Sequence, residues 1–531
     1  MDRRKFIKKA AAGAGVLIVP QILRGAAFLR ESSSRKERPN ILLIMSDDHS
    51  TAAVGTYKSW LGKFAKTPNI DRIAREGMMF TKCYASNSIC CPSRAVIETG
   101  VHSHINGVLK NDQKIKSGVE RFPKLLQKAG YETAVFGKWH IGTPEGYDRY
   151  VANLDQGNYY NPDFIEDGKK TRYEGYHTDI IFDLAIEWLR NGRSKDRPFI
   201  LRVQPKAPHR PWQPDIKYPE RFREVNIPEP ESLFDDYKGR GTAAISQAML
   251  IARDLNNEDL KIDLERGSGR MNEEQKKKWL EAYEEQNRKF ENAKLSGKEL
   301  VRWKYQRFIR DYLGCVESID DGVGRLLKYL DESGLRENTV VIYTSDQGFF
   351  LGEHGWFDKR FMYEPSLRMP LIVRWPGRVR RGSVCGELVQ NLDFAQTFLD
   401  IASAVPAEEM QGASIVPLLD GKKPSGWRKS LYYNYYEYPG WHSVLRHDRV
   451  VTKRYKLIHF YDVDENELYD LERDPDEMKN VFGSPKYAKT SDELKKELEE
   501  LKQFYKVPEP EKLADKEIEK LKKLKESRSV T

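Results

Sequence analysis

The sequence predicts an α/β protein in which a large, mostly parallel sheet is sandwiched by helices and followed by a smaller C-terminal antiparallel-sheet domain. Three observations predict it. Continuous apolar runs of strand length, such as residues 41–45 and 338–343, suit strands buried on both faces and alternate with helical stretches. Four runs end abruptly in charged or amide residues, which delivers polar chemistry to the sheet edge where ligands of such folds bind. Beyond Gly421-Lys422-Lys423-Pro424 the character changes to short, aromatic-rich strands.

At 531 residues the chain exceeds one ordinary core. Residues 1–37 read as an export signal and linker, 38–424 as the main domain, 425–507 as a sheet-plus-helix domain and 508–531 as a charged helical tail. Arg3-Arg4-Lys5-Phe6-Ile7-Lys8-Lys9 precedes an Ala/Gly-rich run over 10–23. That run is short of the ~20 apolar residues of a membrane span, so no stable membrane insertion is expected. The paired arginines resemble a twin-arginine export signal, ahead of a signal anchor or a Sec signal. A periplasmic or extracellular protein is therefore expected. The net charge of +9 favours polyanions, but no Lys/Arg run interleaved with aromatics marks a nucleic-acid face, and none is expected.

Taken in order, Pro39-Asn40 opens the run 41–45, which stops at Ser46-Asp47-Asp48-His49. Thr67-Pro68-Asn69 starts a helix that ends at Gly77. Residues 78–85 read as a strand and 92–99 as a helix stopped by Gly100. A helix over 122–128 leads to a strand over 132–136 and then Gly137-Lys138-Trp139-His140. An amphipathic helix over 180–189 and a strand over 198–203 follow, the latter running out into Ala207-Pro208-His209. From about 219 to 302, charge-rich helical sequence reads as surface decoration or a cleft insert, and core-like helical spacing returns over 312–329. The run 338–343 ends in Thr344-Ser345-Asp346-Gln347-Gly348. Residues 370–374 read as a strand and 389–402 as a helix. In the smaller domain 431–436, 447–452 and 455–461 read as strands, 469–475 as a turn and 491–505 as a helix.

The stretch Asn87-Ser88-Ile89-Cys90-Cys91-Pro92-Ser93-Arg94 lies between strand and helix, which puts Cys90 at or just before a helix N-terminus. Free N–H groups and the helix dipole favour an anion there, so a lowered thiol pKa is expected. Arg94 returns to the same face one turn later. A buried apolar thiol is one reading. A thiol phosphatase would need five residues between Cys and Arg, and only three intervene. Asp47, Asp48, Asp346 and Gln347 are oxygen donors at strand ends; in that number they suit Ca²⁺, with Mg²⁺ the second choice, and argue against zinc.

The third reading is that Cys90-Cys91-Pro92-Ser93-Arg94 resembles the C-x-P-S-R motif of the type I sulfatases, of alkaline-phosphatase-like fold, whose cysteine becomes formylglycine. The resemblance extends over most of 39–461, through Asp47-Asp48, Gly137-Lys138-Trp139-His140, Ala207-Pro208-His209, Asp346-Gln347-Gly348 and Lys359. It implies that Cys90 is the formylglycine, a hydrated aldehyde touching Ca²⁺, and that Asp47, Asp48, Asp346 and Gln347 hold the ion. Arg94 and Lys138 would orient the hydrate and the sulfate, and Lys359 would bind the sulfate beside the leaving oxygen. His209 would protonate the leaving alcohol, and His140 would take a proton from the hydrate. A formylglycine-generating or sulfatase-maturing enzyme is an implied partner. The segments 346–377 and 435–447 resemble the N-acetylglucosamine-6-sulfatase-like branch, which makes Asp358, Arg360, His442 and His447 candidates for sugar binding and a 6-O-sulfated N-acetylglucosamine the first-choice substrate. Alternatives are a phosphonate or phosphate ester hydrolase of the same superfamily and a silent glycan-binding protein with unmodified Cys90.

Overall fold

A computed structural model describes residues 38–153, 155–218, 225–511 and 513–528. The export signal and linker expected over 1–37 therefore lie outside the described residues, as does 219–224 at the start of the expected insert. Among the described residues no helix is long and apolar enough to cross a membrane.

Ten strands form the main sheet. Its centre is parallel, with Thr339–Ser345, Asn40–Ser46, Phe199–Gln204, Glu132–Lys138 and Arg149–Asn153 side by side in that order. Its flanks carry antiparallel pairs, Leu371–Arg374 against Thr339–Ser345 and Asp163–Glu166 against Lys169–Arg172, and one edge ends in a parallel pair, Ser383–Cys385 beside Met78–Phe80. The sheet is thus parallel where the apolar runs are longest and mixed as a whole. Both faces are covered, which is why the central runs do not alternate with polar residues. Leu42 and Ile44 pack on one side, against residues of Pro68–Glu76, His177–Glu187 and Gly297–Glu332. Ile41, Leu43 and Met45 pack on the other, against Phe122–Lys128 and Phe394–Ile401. Strand register, more than burial, positions the polar residues beyond the strand ends. Asn40 to Ser46 pairs residue by residue with Thr339 to Ser345, so Asp47 and Asp346 leave adjacent strands at one level.

A second, four-stranded antiparallel sheet is built from Ser430–Tyr435, His447–Thr452, Tyr455–Phe460 and Glu465–Asp470. The helix Ala488–Tyr505 covers one face through Leu494, Leu498 and Leu501. The other face, through Tyr433, Tyr435 and Ile458, meets Trp356, Phe361 and Tyr363 of the main domain.

Several expectations need correction. The strand expected over 78–85 is two pieces, Met78–Phe80 in the main sheet and Cys83–Tyr84 paired with Val389–Gln390. The helix expected from 389 starts at Phe394. Gln390 N donates to Asp393 (2.9 Å) and Arg428 grips both Asp393 oxygens (2.8 and 2.6 Å), which holds the chain in a short turn first. The helix expected over 312–329 is part of Gly297–Glu332, so residue 302 falls inside a continuous helix rather than at the end of an insert. The acidic strand Glu465–Asp470 was not expected, and the charged tail helix Asp515–Arg528 seats Leu521 in the apolar cluster beneath it.

Candidate active site

Four strands of the parallel centre deliver the polar cluster. Asp47 and Asp48 follow Asn40–Ser46, Asp346 and Gln347 follow Thr339–Ser345, Lys138 ends Glu132–Lys138, and His209 lies five residues beyond Phe199–Gln204. Positive φ at Asp48 (65°) and His140 (68°) turns the chain sharply just beyond the strands.

Carboxylate oxygens of Asp47, Asp48 and Asp346 lie within 4.8 Å of one another, all buried. Burial pushes Asp48 and Asp346 upward. It acts on Asp47 too, but Lys138, His209, Arg94 and Lys359 together hold that carboxyl well below the usual range. Lys138 Nζ pairs with Asp47, Lys359 Nζ reaches both oxygens of Asp48 (2.7 and 2.6 Å), and Arg94 Nε donates to Asp346 (2.9 Å). Asp47 Oδ1 and Gln347 Oε1 are buried without a hydrogen-bond donor. Buried oxygens without a hydrogen-bond donor beside clustered carboxylates, with Arg94 Nη2 3.7 Å from Asp47 Oδ1, fit a hard divalent cation.

Cys90 opens the helix Cys90–Thr99, with Ile89 as N-cap and Gly100 in the left-handed region (φ 65°) as its stop. The expected acidic thiol is overturned. Burial pushes Cys90 up, with Asp47 and Asp48 adding to it, and this outweighs the nearby Lys359 and Lys138. Its Sγ still belongs to the cluster, within 4.8 Å of Asp47 and His209 atoms. Arg94 ties that helix to the strand ends through Asp346 and the Gln204 side chain (2.8 Å).

His209 Nδ1 donates to the Arg210 carbonyl (2.7 Å), which turns Nε2 toward Asp48 Oδ2 at 3.7 Å. His140 Nε2 lies 3.4 Å from the Gln156 amide, whose oxygen accepts from Lys138 Nζ (2.7 Å). Because Lys138 can only donate, Gln156 must turn its NH₂ to His140, so His140 Nε2 carries the lone pair.

Asp358, Lys359 and Arg360 are all buried beside this cluster. In an extended segment the neighbours of Lys359 would point away from it. Instead Asp358 (φ 76°) and Arg360 (φ 88°) both take the left-handed region, a strained arrangement on either side of one residue. Arg360 Nε lies 3.4 Å from Asp358 Oδ1, and Arg360 Nη1 lies 3.6 Å from Glu437 Oε1. Burial works against ionised Asp358, but His442, Lys359 and Arg360 overcome it and hold the carboxyl well below its ordinary value. His442 Nε2 sits 3.3 Å from Asp358 and its Nδ1 donates to the Ala248 carbonyl (2.6 Å). The turn is clipped to the cysteine loop: Arg360 N donates to the Ser88 carbonyl (3.1 Å), Ser88 N to the Tyr433 hydroxyl (3.1 Å), and that hydroxyl to the Arg360 carbonyl (2.9 Å).

His447 is not brought to the cluster. Its ring is enclosed by Phe361, Tyr433, Tyr435 and Phe460, Nδ1 donates to the Leu445 carbonyl (2.6 Å), and burial pushes it down to about 3. It packs the sheet interface as a neutral ring.

Four residues at the cluster escaped sequence reasoning. Asn111 Oδ1 lies 4.0 Å from Cys90 Sγ, Gln156 bridges Lys138 and His140, and Gln204 holds Arg94. Lys206 is buried, pushed down to about 7 by burial and by Lys138, and donates to the Gln156 carbonyl (3.0 Å). Gln204 and Lys206 follow the same strand-end logic as the residues found; Asn111 and Gln156 sit on loops with no period to mark them.

Residues 39–404 match the family model described as Sulfatase, and 352–504 the one described as N-sulphoglucosamine sulphohydrolase, C-terminal. An N-acetylglucosamine-6-O-sulfatase of Bacteroides thetaiotaomicron is 48% identical over 489 residues, 88% of this chain and 87% of that protein. An arylsulfatase of Clostridium perfringens is 27% identical, over 86% of this chain and 93% of its own. A solved structure described as a complex with its substrate, D-glucosamine-2-N,6-O-disulfate, matches with a TM-score of 0.87 at 48% identity, covering 89% of this chain and 99% of that one. With a buried carboxylate cluster, a C-x-P-S-R helix and this similarity along nearly its whole described length, the chain belongs to the sulfatase family and is a sulfatase.

Proposed function

We propose that this sulfatase removes the 6-O-sulfate of N-acetylglucosamine-type sugars, outside the cytoplasm, after export on the twin-arginine-like signal at Arg3-Arg4. The observation that carries the sugar preference is the turn in which Asp358, Lys359 and Arg360 are buried together by two positive-φ residues. That arrangement offers one acceptor and two cations to a sulfated carbon and its neighbouring hydroxyls, and the substrate named for the 48%-identical structure supports the same choice. A site built to bond a hydroxyl discriminates strongly against sugars that misplace it, because its own polar groups are then left unpaired.

Formylglycine made from Cys90 by a maturing enzyme would supply a hydrated aldehyde as nucleophile. Ca²⁺, held by Asp47, Asp48, Asp346 and Gln347, would supply fixed positive charge to the sulfate. The chain's own groups do the rest. Three carboxylates face three cations here, so a bound dication tips the site positive and favours an anionic ester. Lys138 and Arg94 would orient the sulfate oxygens, and Lys359 would bind the sulfate beside the leaving oxygen. His209, fixed by its Nδ1 bond to the Arg210 carbonyl, presents Nε2 to the leaving alcohol and gives up a proton only as the imidazolium, a form that burial and Lys138 oppose and the Asp47 carboxylate supports. His140 Nε2, held as a lone pair by Gln156, accepts a proton.

The test is a panel of sulfated monosaccharides: N-acetylglucosamine and N-acetylgalactosamine with 6-sulfate, N-acetylglucosamine with 3-sulfate, and a 2-sulfated uronic acid. The highest kcat/KM is expected on 6-sulfated N-acetylglucosamine. A preference for the uronic acid would overturn the assignment, and a fully thiol Cys90 by intact mass in natively produced active enzyme would overturn the proposed nucleophile.

A further inference from the structure

Among the described residues every tryptophan, tyrosine and phenylalanine is buried or half-buried, with one exception: Trp441 is 81% exposed. Three other large apolar side chains are placed in solvent, Val384, Val405 and Met478, and none adjoins a residue of the polar cluster. Trp441 is bonded directly to His442, whose ring meets Asp358 at 3.3 Å. An indole left in water carries the largest apolar surface of any side chain, so its exposure asks for an occupant.

The loop that carries it is fixed. His442 donates through Nδ1 to the Ala248 carbonyl (2.6 Å) and accepts from Ala248 N at its own carbonyl (2.7 Å). Ser443 N closes the turn on the Pro439 carbonyl (2.8 Å), and the Glu437 side chain lies so close to Gly440 that a Cβ there would stand 2.4 Å from its carboxylate oxygen. The ring is thus exposed on a backbone tied to the sugar-facing turn, which is preorganisation rather than fraying.

We infer that Trp441 is a stacking platform for the sugar adjoining the sulfated residue, which makes a chain of two or more sugars the preferred substrate. The inference rests on the carbohydrate substrate proposed for this site. A pyranose with equatorial substituents presents a face of axial C–H groups, apolar and slightly positive, and the indole face is its complement. The sulfated sugar would be gripped by buried charges around Lys359, and Trp441, one residue from the His442 that meets Asp358, would take its neighbour.

The experiment compares kcat/KM of the matured enzyme on 6-sulfated N-acetylglucosamine and on a disaccharide carrying that same sugar, for the unmutated chain, W441A and W441F. W441A is expected to lose about tenfold on the disaccharide, mostly in KM, and to stay within about twofold on the monosaccharide, the scale of one stacked aromatic contact. W441F is expected to recover most of the loss. Because the ring is exposed, the melting temperature of both variants should match that of the unmutated chain. Equal losses on both substrates, or no loss on the disaccharide, would overturn the inference. If the unmutated enzyme ignores 6-sulfated N-acetylglucosamine, the substrate reading fails instead, and the same ratio is taken for the sulfated sugar it does cleave.

Discussion

Asp47, Asp48, Asp346 and Gln347 hang from two neighbouring strands paired along their full seven-residue length, under a sheet whose two faces are both covered. Asp358 ends a two-residue strand paired with Phe350, Arg360, His442 and Glu437 lie on loops, and the four are held by strained dihedrals and borrowed carbonyls. The first region cannot shift one residue without breaking the core, whereas the second is set by a handful of backbone and side-chain hydrogen bonds. The difference separates what the enzyme does from what it chooses. On the proposed reading, bond cleavage is placed by the sheet, and selection by the rim.

Mutations sharpen that division in order of expected effect. Cys90→Ala is expected to lower turnover of an aryl sulfate by roughly 10⁴-fold or more, as loss of a nucleophile does. Cys91→Ala should stay within about threefold, because Cys91 Sγ faces the Gln113 carbonyl (3.3 Å) and an apolar cluster. The reverse pattern, measured by kcat, would move the chemistry to the wrong cysteine.

Removal of the metal comes next. Chelation, or Asp346→Ala, should cost about 10³-fold in kcat on sugar and aryl sulfate alike. Calcium returned to the chelated protein at about a hundred times its Kd should raise Tm by about 2–4 °C, and Asp346→Ala should show no such rise. A variant that loses activity but keeps the calcium-dependent rise would detach the cluster from the ion.

The rim is tested by substrate contrast. Asp358→Ala and Arg360→Ala should each lower kcat/KM on 6-sulfated N-acetylglucosamine by about 10²-fold and spare an aryl sulfate within about threefold. Loss on both substrates alike would erase the boundary between the two regions. The smallest effect is expected for His447→Phe, under about twofold in kcat/KM on either substrate, since His447 sits among aromatic rings and not in the cleft. A large loss on the sugar alone would return His447 to the substrate.

The sheet-borne region was legible because buried parallel strands leave a plain trace, an apolar run that stops at a charge. Asp47, Lys138, His209 and Asp346 could each be read that way, and they converge in the structure. The rim was legible only in part. Spacing alone could not say whether Asp358 and Arg360 face the same way as Lys359, because that depends on two φ angles that bulky residues rarely adopt. Gln156 and Asn111 matter through what they touch across 16 and 21 residues of chain, which no local pattern encodes. The acidic thiol was expected from the helix end, and complete burial reversed it. The strand Glu465–Asp470 was hidden by its acidic composition, although Leu468 and Tyr469 point into cores on opposite faces.

Tyr433 bears on how such enzymes diverge. Its hydroxyl joins the Ser88 amide to the Arg360 carbonyl, while Arg360 N returns a bond to Ser88. The turn through Asp358 and Arg360 and the turn that carries Cys90 therefore share a three-point joint, one member of which belongs to the small C-terminal sheet. A selectivity loop transplanted from a relative would have to match that joint or pull the cysteine turn out of line. The heritable module is then a trio of segments, around residues 88, 360 and 433, far apart in sequence and expected to change together or not at all.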